Sequence, residues 1–284
     1  MKLQLSTLLS GLALVSGLMA SGSTMAQGTW DFGTSACNPG GTPATASCAI
    51  SGVTAAISAW GNTGTGSAFI QGNLGEFDPN GFGAYTGKFE TGTSSQHAFD
   101  NMTTGCGTTG LTANAGFATN CGGSVEAMLL NFGTAKVSLS QIKTGFTGGD
   151  ADLSLYRWDG ATGPTMTSVT AVSGTGVASG WTLVGSNDMD MLNPYNTGNT
   201  RFSSFFLITT YFGGGATNLD VGNDAFKVRS IDANTCVGTL TGGTGSAGGN
   251  GASCTTTGVP EPSSLALAGL ALFGLGYGRR KLVK

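Results

Sequence analysis

AFKVRSI, residues 225–231, sets Phe226 and Val228 on one side of the chain and Lys227 and Arg229 on the other. That period of two is the mark of a strand with one face turned to a core. LSLYRW, residues 153–158, repeats the pattern, and 126–132, 136–139, 181–184 and 202–212 read as further strands, the last dense in aromatic and β-branched residues. Phe205-Phe206-Leu207-Ile208 is apolar at consecutive positions and reads as a central strand covered on both faces. Gly-Gly, Asn-Gly and Asp-Gly steps punctuate the intervals, and no long amphipathic helix interrupts them. The expectation is an all-β body, an antiparallel β-sandwich or jelly roll.

The ends of the chain are built differently. Met1-Lys2, an apolar run over 8–19 and small residues up to Thr24-Met25-Ala26 have the layout of a secretory signal peptide cut after Ala26. At the other end, residues 263–278 are uncharged and predict a single transmembrane helix of about 24 Å. Arg279, Arg280, Lys281 and Lys284 would hold that helix's end on the cytoplasmic side. The expected organisation is a signal peptide over 1–26, a secreted β-rich domain over 27–239, a Gly/Ser/Thr-rich linker over 240–258 and a tail over 259–284. For the segment from Leu240 two readings stand: a stalk that lets the body clear the membrane, and an ordered glycine-rich loop held by Cys236 and Cys254.

Composition excludes several functions. Within the secreted body seven basic side chains face fourteen acidic ones, a net of −7 that the whole-chain value of −3 conceals. Such a surface repels phosphate backbones, so no nucleic-acid partner is expected. Glycine contributes 50 of 284 residues and charged residues only 10%, a balance that suits tight turns and secreted adhesins or matrix proteins better than a cytosolic enzyme. The six cysteines, Cys37, Cys48, Cys106, Cys121, Cys236 and Cys254, all fall in the exported part and read as a disulfide framework. Six allow 15 connectivities, of which pairing of neighbours along the chain is one.

Residue pairs with catalytic or ligating chemistry are few. His97, the one histidine, stands near Ser94, Ser95 and Asp100, but no Gly-x-Ser-x-Gly elbow accompanies it, and a structural role at a strand end is the expectation. Asp150 with Asp152, and Asp188 with Asp190, set carboxylates two residues apart and are weak candidates for structural calcium. Neither belongs to a complete Asp-x-Asp-x-Asp-Gly loop. No catalytic residue and no other cofactor is expected. Trp60, Trp158 and Trp181 fit core packing, or alternatively a platform for sugars in a carbohydrate-binding module or glycan-active enzyme.

Pro260-Glu261-Pro262, the apolar helix and the Arg279-Arg280 cluster resemble, in that order, the PEP-CTERM sorting signals of Gram-negative bacteria. The resemblance implies that exosortase, a membrane protease or transpeptidase, reads Pro260, Glu261 and Pro262 and releases or transfers the body. The body itself resembles exosortase-dependent surface proteins at residues 96–101, 126–132, 151–158 and 222–228. That resemblance implies passage through an inner-membrane-anchored intermediate to the cell surface or outside. It implies no enzymology, and the expected function is a structural or adhesive role, with extracellular polysaccharide as the expected surroundings, in a biofilm or floc.

Overall fold

The computed structural model describes residues 25–34, 37, 42–61, 68–77, 79–85, 98–100, 125–147, 151–169, 171–172, 176–177, 180–189, 194–211, 219, 224–244, 248–255 and 269–271. The chain divides into two units, Met25–Thr255 and the two termini (Met1–Thr24 with Thr256–Lys284). In the terminal unit residues 269–271 are helical and exposed. Among the described residues no helix is long and apolar enough to cross a membrane; apart from 269–271, the expected span over 263–278 lies outside them, as do residues 1–24 of the expected signal peptide.

Met25–Thr255 is a sandwich of two antiparallel sheets. The first runs β14 (Tyr195–Asn196), β9 (Val137–Thr147), β17 (Ala225–Cys236), β6 (Gly81–Tyr85), β5 (Asn73–Phe77), with β1 (Met25–Asp31) and β7 (Phe99–Asp100) also paired to β17. The second runs β13 (Trp181–Asp188), β10 (Asp152–Trp158), β16 (Phe205–Thr210), β8 (Glu126–Asn131), β3 (Val53–Gly61), β2 (Thr45–Ile50), with β4 (Ile70–Gln71) beside β3. Two small sheets complete the fold, β11 (Ala171–Val172) with β12 (Gly176–Val177), and β15 (Arg201–Phe202), β19 (Ala252–Thr255), β18 (Thr239–Thr241) in that order.

Alternation along the strands fills the space between the sheets. Phe226, Val228 and Ile231 of β17 and Leu139 and Ile142 of β9 meet Leu153 and Leu155 of β10, Phe206 and Ile208 of β16 and Met128 and Leu130 of β8 in one buried cluster. Trp30 stands edge-on to Phe132 at 5.5 Å between centroids, and Phe132 edge-on to Phe206 at 6.3 Å, the geometry that aromatic quadrupoles favour. The middle strand β16 is buried on both faces as its unbroken apolar run requires. Phe206 and Ile208 point between the sheets, while Leu207 joins a second cluster on the outer side, covered by Met166 and Val169 of the connection after β10.

Three segments depart from the sequence reading. Lys227, set by alternation on a solvent face, is 1% exposed with its Nζ 5.0 Å from the centre of the Phe146 ring; alternation gives the side a residue takes, not whether that side is covered. The expected strand over 202–212 breaks at Ser203–Ser204. Ser203 Oγ donates to Trp158 O (2.7 Å) and Ser204 Oγ to Ala135 O (2.8 Å), so Phe202 joins one sheet and Phe205 another. The domain expected to end at 239 continues to Thr255, because much of the glycine-rich segment is built as the β18–β19 hairpin, with Thr244 bridged to Asn250.

Register sorts the charges to opposite ends of the sandwich. At one end lie the tips carrying Glu126, Asp152, Asp188 and Asp224, with Lys227 beside them. At the other end the chain enters the body at Met25, opposite Cys236, and leaves it at Thr255, opposite Thr239. Lys136, Arg157 and Arg201 gather there, against Asp159.

Candidate functional site

The functional segment that sequence singles out is the tail, and the structure shows how the body holds the chain that leads to it. Cys236, the last residue of β17, is bonded to Cys254 of β19. Gly251 N donates to Phe202 O (2.8 Å), tying the hairpin to β15. Between these ties sits Asn250, 4% exposed. Its Oδ1 accepts from Ser204 N (3.0 Å) and Ser203 Oγ (3.3 Å), and its Nδ2 donates to Gly160 O (2.8 Å). One amide thus joins the hairpin, the β10 exit and the break before β16. Gly243, at φ +89°, and Gly249 approach the opposing backbone too closely for a Cβ, so glycine serves here for close packing as well as for turns.

Beside Asn250 lies an ionic cluster. Arg157 grips Asp159 with two nitrogens (Nε–Oδ1 2.6 Å, Nη2–Oδ2 2.7 Å), and Thr182 Oγ1 donates to Asp159 Oδ2 (2.7 Å). Burial alone would raise the Asp159 pKa, but the hydrogen bonds from Arg157 and Thr182 and the charges of Arg157 and Arg201 outweigh it and hold the carboxylate below its ordinary value. Arg201 Nη1 reaches Ser253 Oγ at 2.5 Å, and Lys136 Nζ donates to Ser204 Oγ at 2.7 Å, with burial lowering the Lys136 pKa.

The sequence-derived sites fare unevenly. Pro260, Glu261, Pro262, Arg279 and Arg280 lie outside the described residues, as do Cys106 and Cys121, and as do Ser94, Ser95 and His97. Asp100 pairs through its backbone with Ala225. Cys37 is bonded to Cys48, closing the approach to β2. Of the calcium candidates, Asp150 and Asp190 lie outside the described residues, while Asp152 and Asp188 stand opposite each other on β10 and β13. Asp152 is fully buried and its backbone N–H donates to Asp224 Oδ1 (2.8 Å). Among the described residues no three His, Cys, Asp or Glu side chains are grouped to hold a metal ion.

The three tryptophans share the outer face of the second sheet. Trp158 and Trp181 are cross-strand partners, edge-on at 5.2 Å, and Trp60 packs at the same cluster from β3. Trp158 donates its Nε1–H to Thr162 O (2.5 Å), and its ring lies against Gly160 and Gly180 so closely that neither position has room for a Cβ. Trp181 is 8% exposed and Trp60 and Trp158 are half-buried, so their main use is to seat the connection after β10 on the sheet. Asn250 was not legible beforehand; its one signal was its place between glycines inside the Cys236–Cys254 loop.

Comparison with protein families matches residues 258–281 to the PEP-CTERM protein-sorting motif. Comparison with curated proteins and with solved structures gives no match. The matched stretch begins three residues after the compact body ends at Thr255.

Proposed function

From the premise that residues 258–281 are a PEP-CTERM protein-sorting motif, which marks an exported, exosortase-sorted protein, we propose that the body is a non-catalytic structural or adhesive component of the extracellular polysaccharide matrix of a biofilm or floc. The motif is the observation that carries the reading, because it addresses the body to the cell exterior. The body's construction supports it. Among the described residues two disulfides and an aromatic core between two sheets suit long residence in an oxidising exterior. Deleting the gene in its host should reduce cell aggregation, with restoration by the full chain and none by a chain ending at Gly258. Unchanged aggregation in the deletion strain overturns the role.

A carbohydrate-binding module is the second reading, favoured by the half-buried Trp60 and Trp158 on one sheet face. A glycan array separates the two: retention on one polysaccharide class, lost in Trp158→Ala, supports a lectin-like module, and turnover of the glycan overturns the non-catalytic assignment.

A further inference from the structure

Two constraints bear on the end of the sandwich where the chain leaves. The first is length. From Thr255 to the uncharged segment beginning at Ser263 there are eight Cα steps, which reach about 29 Å at full extension, and the lipid headgroup layer takes up about 5–7 Å of that. β17, twelve residues long, separates the exit from the acidic end by about 37 Å. With the tail in a bilayer, the linker is too short for the body to stand inverted on its acidic tips, whereas it is long enough for the exit end to reach the headgroups.

The second constraint is what that end carries. Lys136, Arg157 and Arg201 against Asp159 leave two net positive charges. The opposite tips, Glu126, Asp152, Asp188 and Asp224 against Lys227, leave three net negative ones. At the turn after β17, Val237 is 66% exposed, one of few large apolar side chains so open. Arg201 is also exposed, with its Nη1 bonded to Ser253 Oγ on the neighbouring strand β19.

We infer that this end of the sandwich, with Val237 at its tip and the exposed Arg201 on the same end, is a docking surface for an anionic phospholipid leaflet while the tail is still attached. The inference rests on the sorting motif acting as a membrane anchor before processing. An apolar tip on an end of net positive charge suits the headgroup boundary, and each cation held there multiplies the docked population about fivefold. Docking would keep the carboxylate-rich end facing outward.

The unprocessed full chain, carrying a fluorescent amino acid at position 237 or, as distal control, at position 188, is reconstituted into vesicles of mixed phosphatidylglycerol and phosphatidylcholine with headgroup-spin-labelled lipid. Quenching should be severalfold stronger at 237 than at 188, and Arg201→Glu, which removes a cation and adds an anion, or a change to pure phosphatidylcholine should weaken it about fivefold or more. Equal quenching at the two positions in chains that float with the vesicles overturns the docking surface alone. So does quenching at 237 that is indifferent to both Arg201→Glu and lipid charge. A chain that does not float with vesicles overturns docking and the anchored intermediate together.

Discussion

Replacing Asn250 with alanine tests whether the glycine-rich segment is part of the body. The side chain is 4% exposed and makes three hydrogen bonds, accepting from Ser204 N and Ser203 Oγ and donating to Gly160 O. Truncation leaves the buried Ser204 N–H and the partly buried Gly160 carbonyl without this partner, at about 1–3 kcal/mol each, the carbonyl toward the low end. Ser203 Oγ keeps its bonds to Trp158 O and Phe205 O and adds little. The expected loss is about 3 kcal/mol, or roughly 6–12 °C in Tm for a domain of this size. Because Cys236–Cys254 still tethers the hairpin, amides of 248–252 should lose protection from hydrogen exchange before those of β17 do. Scanning calorimetry and native-state exchange read the two effects. A Tm within 1 °C of the parent, with unchanged protection over 248–252, would refute the claim that the hairpin is docked and restore the stalk.

Replacing Cys236 and Cys254 together with serine opens a loop of 18 residues' separation and should cost about 3 kcal/mol on the chain-entropy account, read by urea unfolding. Non-reducing peptide mapping should recover Cys37 with Cys48 and Cys236 with Cys254. Gly180→Ala places a side chain at φ +88° and against the Trp158 ring; a loss of at least about 2 kcal/mol and a shifted tryptophan emission are expected, whereas parental stability contradicts the packing. Burial lowers the Lys227 pKa to about 8 from 10.5. Between those values the folded state has given up a proton that the unfolded chain keeps, so stability relative to Lys227→Met should rise as pH goes from 8 to 10.5; urea midpoints at pH 7, 9 and 10 that track each other negate this. In a host with exosortase the mature protein should lack Arg279–Lys284, and Glu261→Ala should retain them by intact-mass measurement.

The fold was legible where burial alone sets the pattern. AFKVRSI and LSLYRW alternate and FFLI is apolar throughout, and these became β17, β10 and β16 inside their sheets, with the polar sides of β17 and β10 covered further than alternation indicates at Ser154 and Lys227. What was not legible depends on contacts far apart in sequence. For 240–258 the sequence left a stalk and a loop held by Cys236 and Cys254 both open because its glycines carry no periodicity; the order seen up to Thr255 comes from Asn250 meeting Gly160 and Ser203, residues 90 and 47 positions away. The same holds for β1, which begins at Met25, two residues before the expected cut after Ala26, since its partner is the last third of the chain. Cleavage there leaves Gln27–Asp31 in register with β17. The three tryptophans were visible singly, but only strand register gathers them on one face.

The Cys236–Cys254 bond also decides where mechanical load enters the body. Any pull on the tail, from a moving envelope or a polymer joined at the processing site, reaches Cys254 and passes covalently to the end of β17. That strand is hydrogen-bonded along most of its length to β9 on one side and to β1, β6 and β7 on the other. Force therefore runs along the longest ladder of the sandwich and loads its bonds in shear, all at once. Without the sulfur bridge the same pull would peel β19 from β15 and β18 one bond at a time.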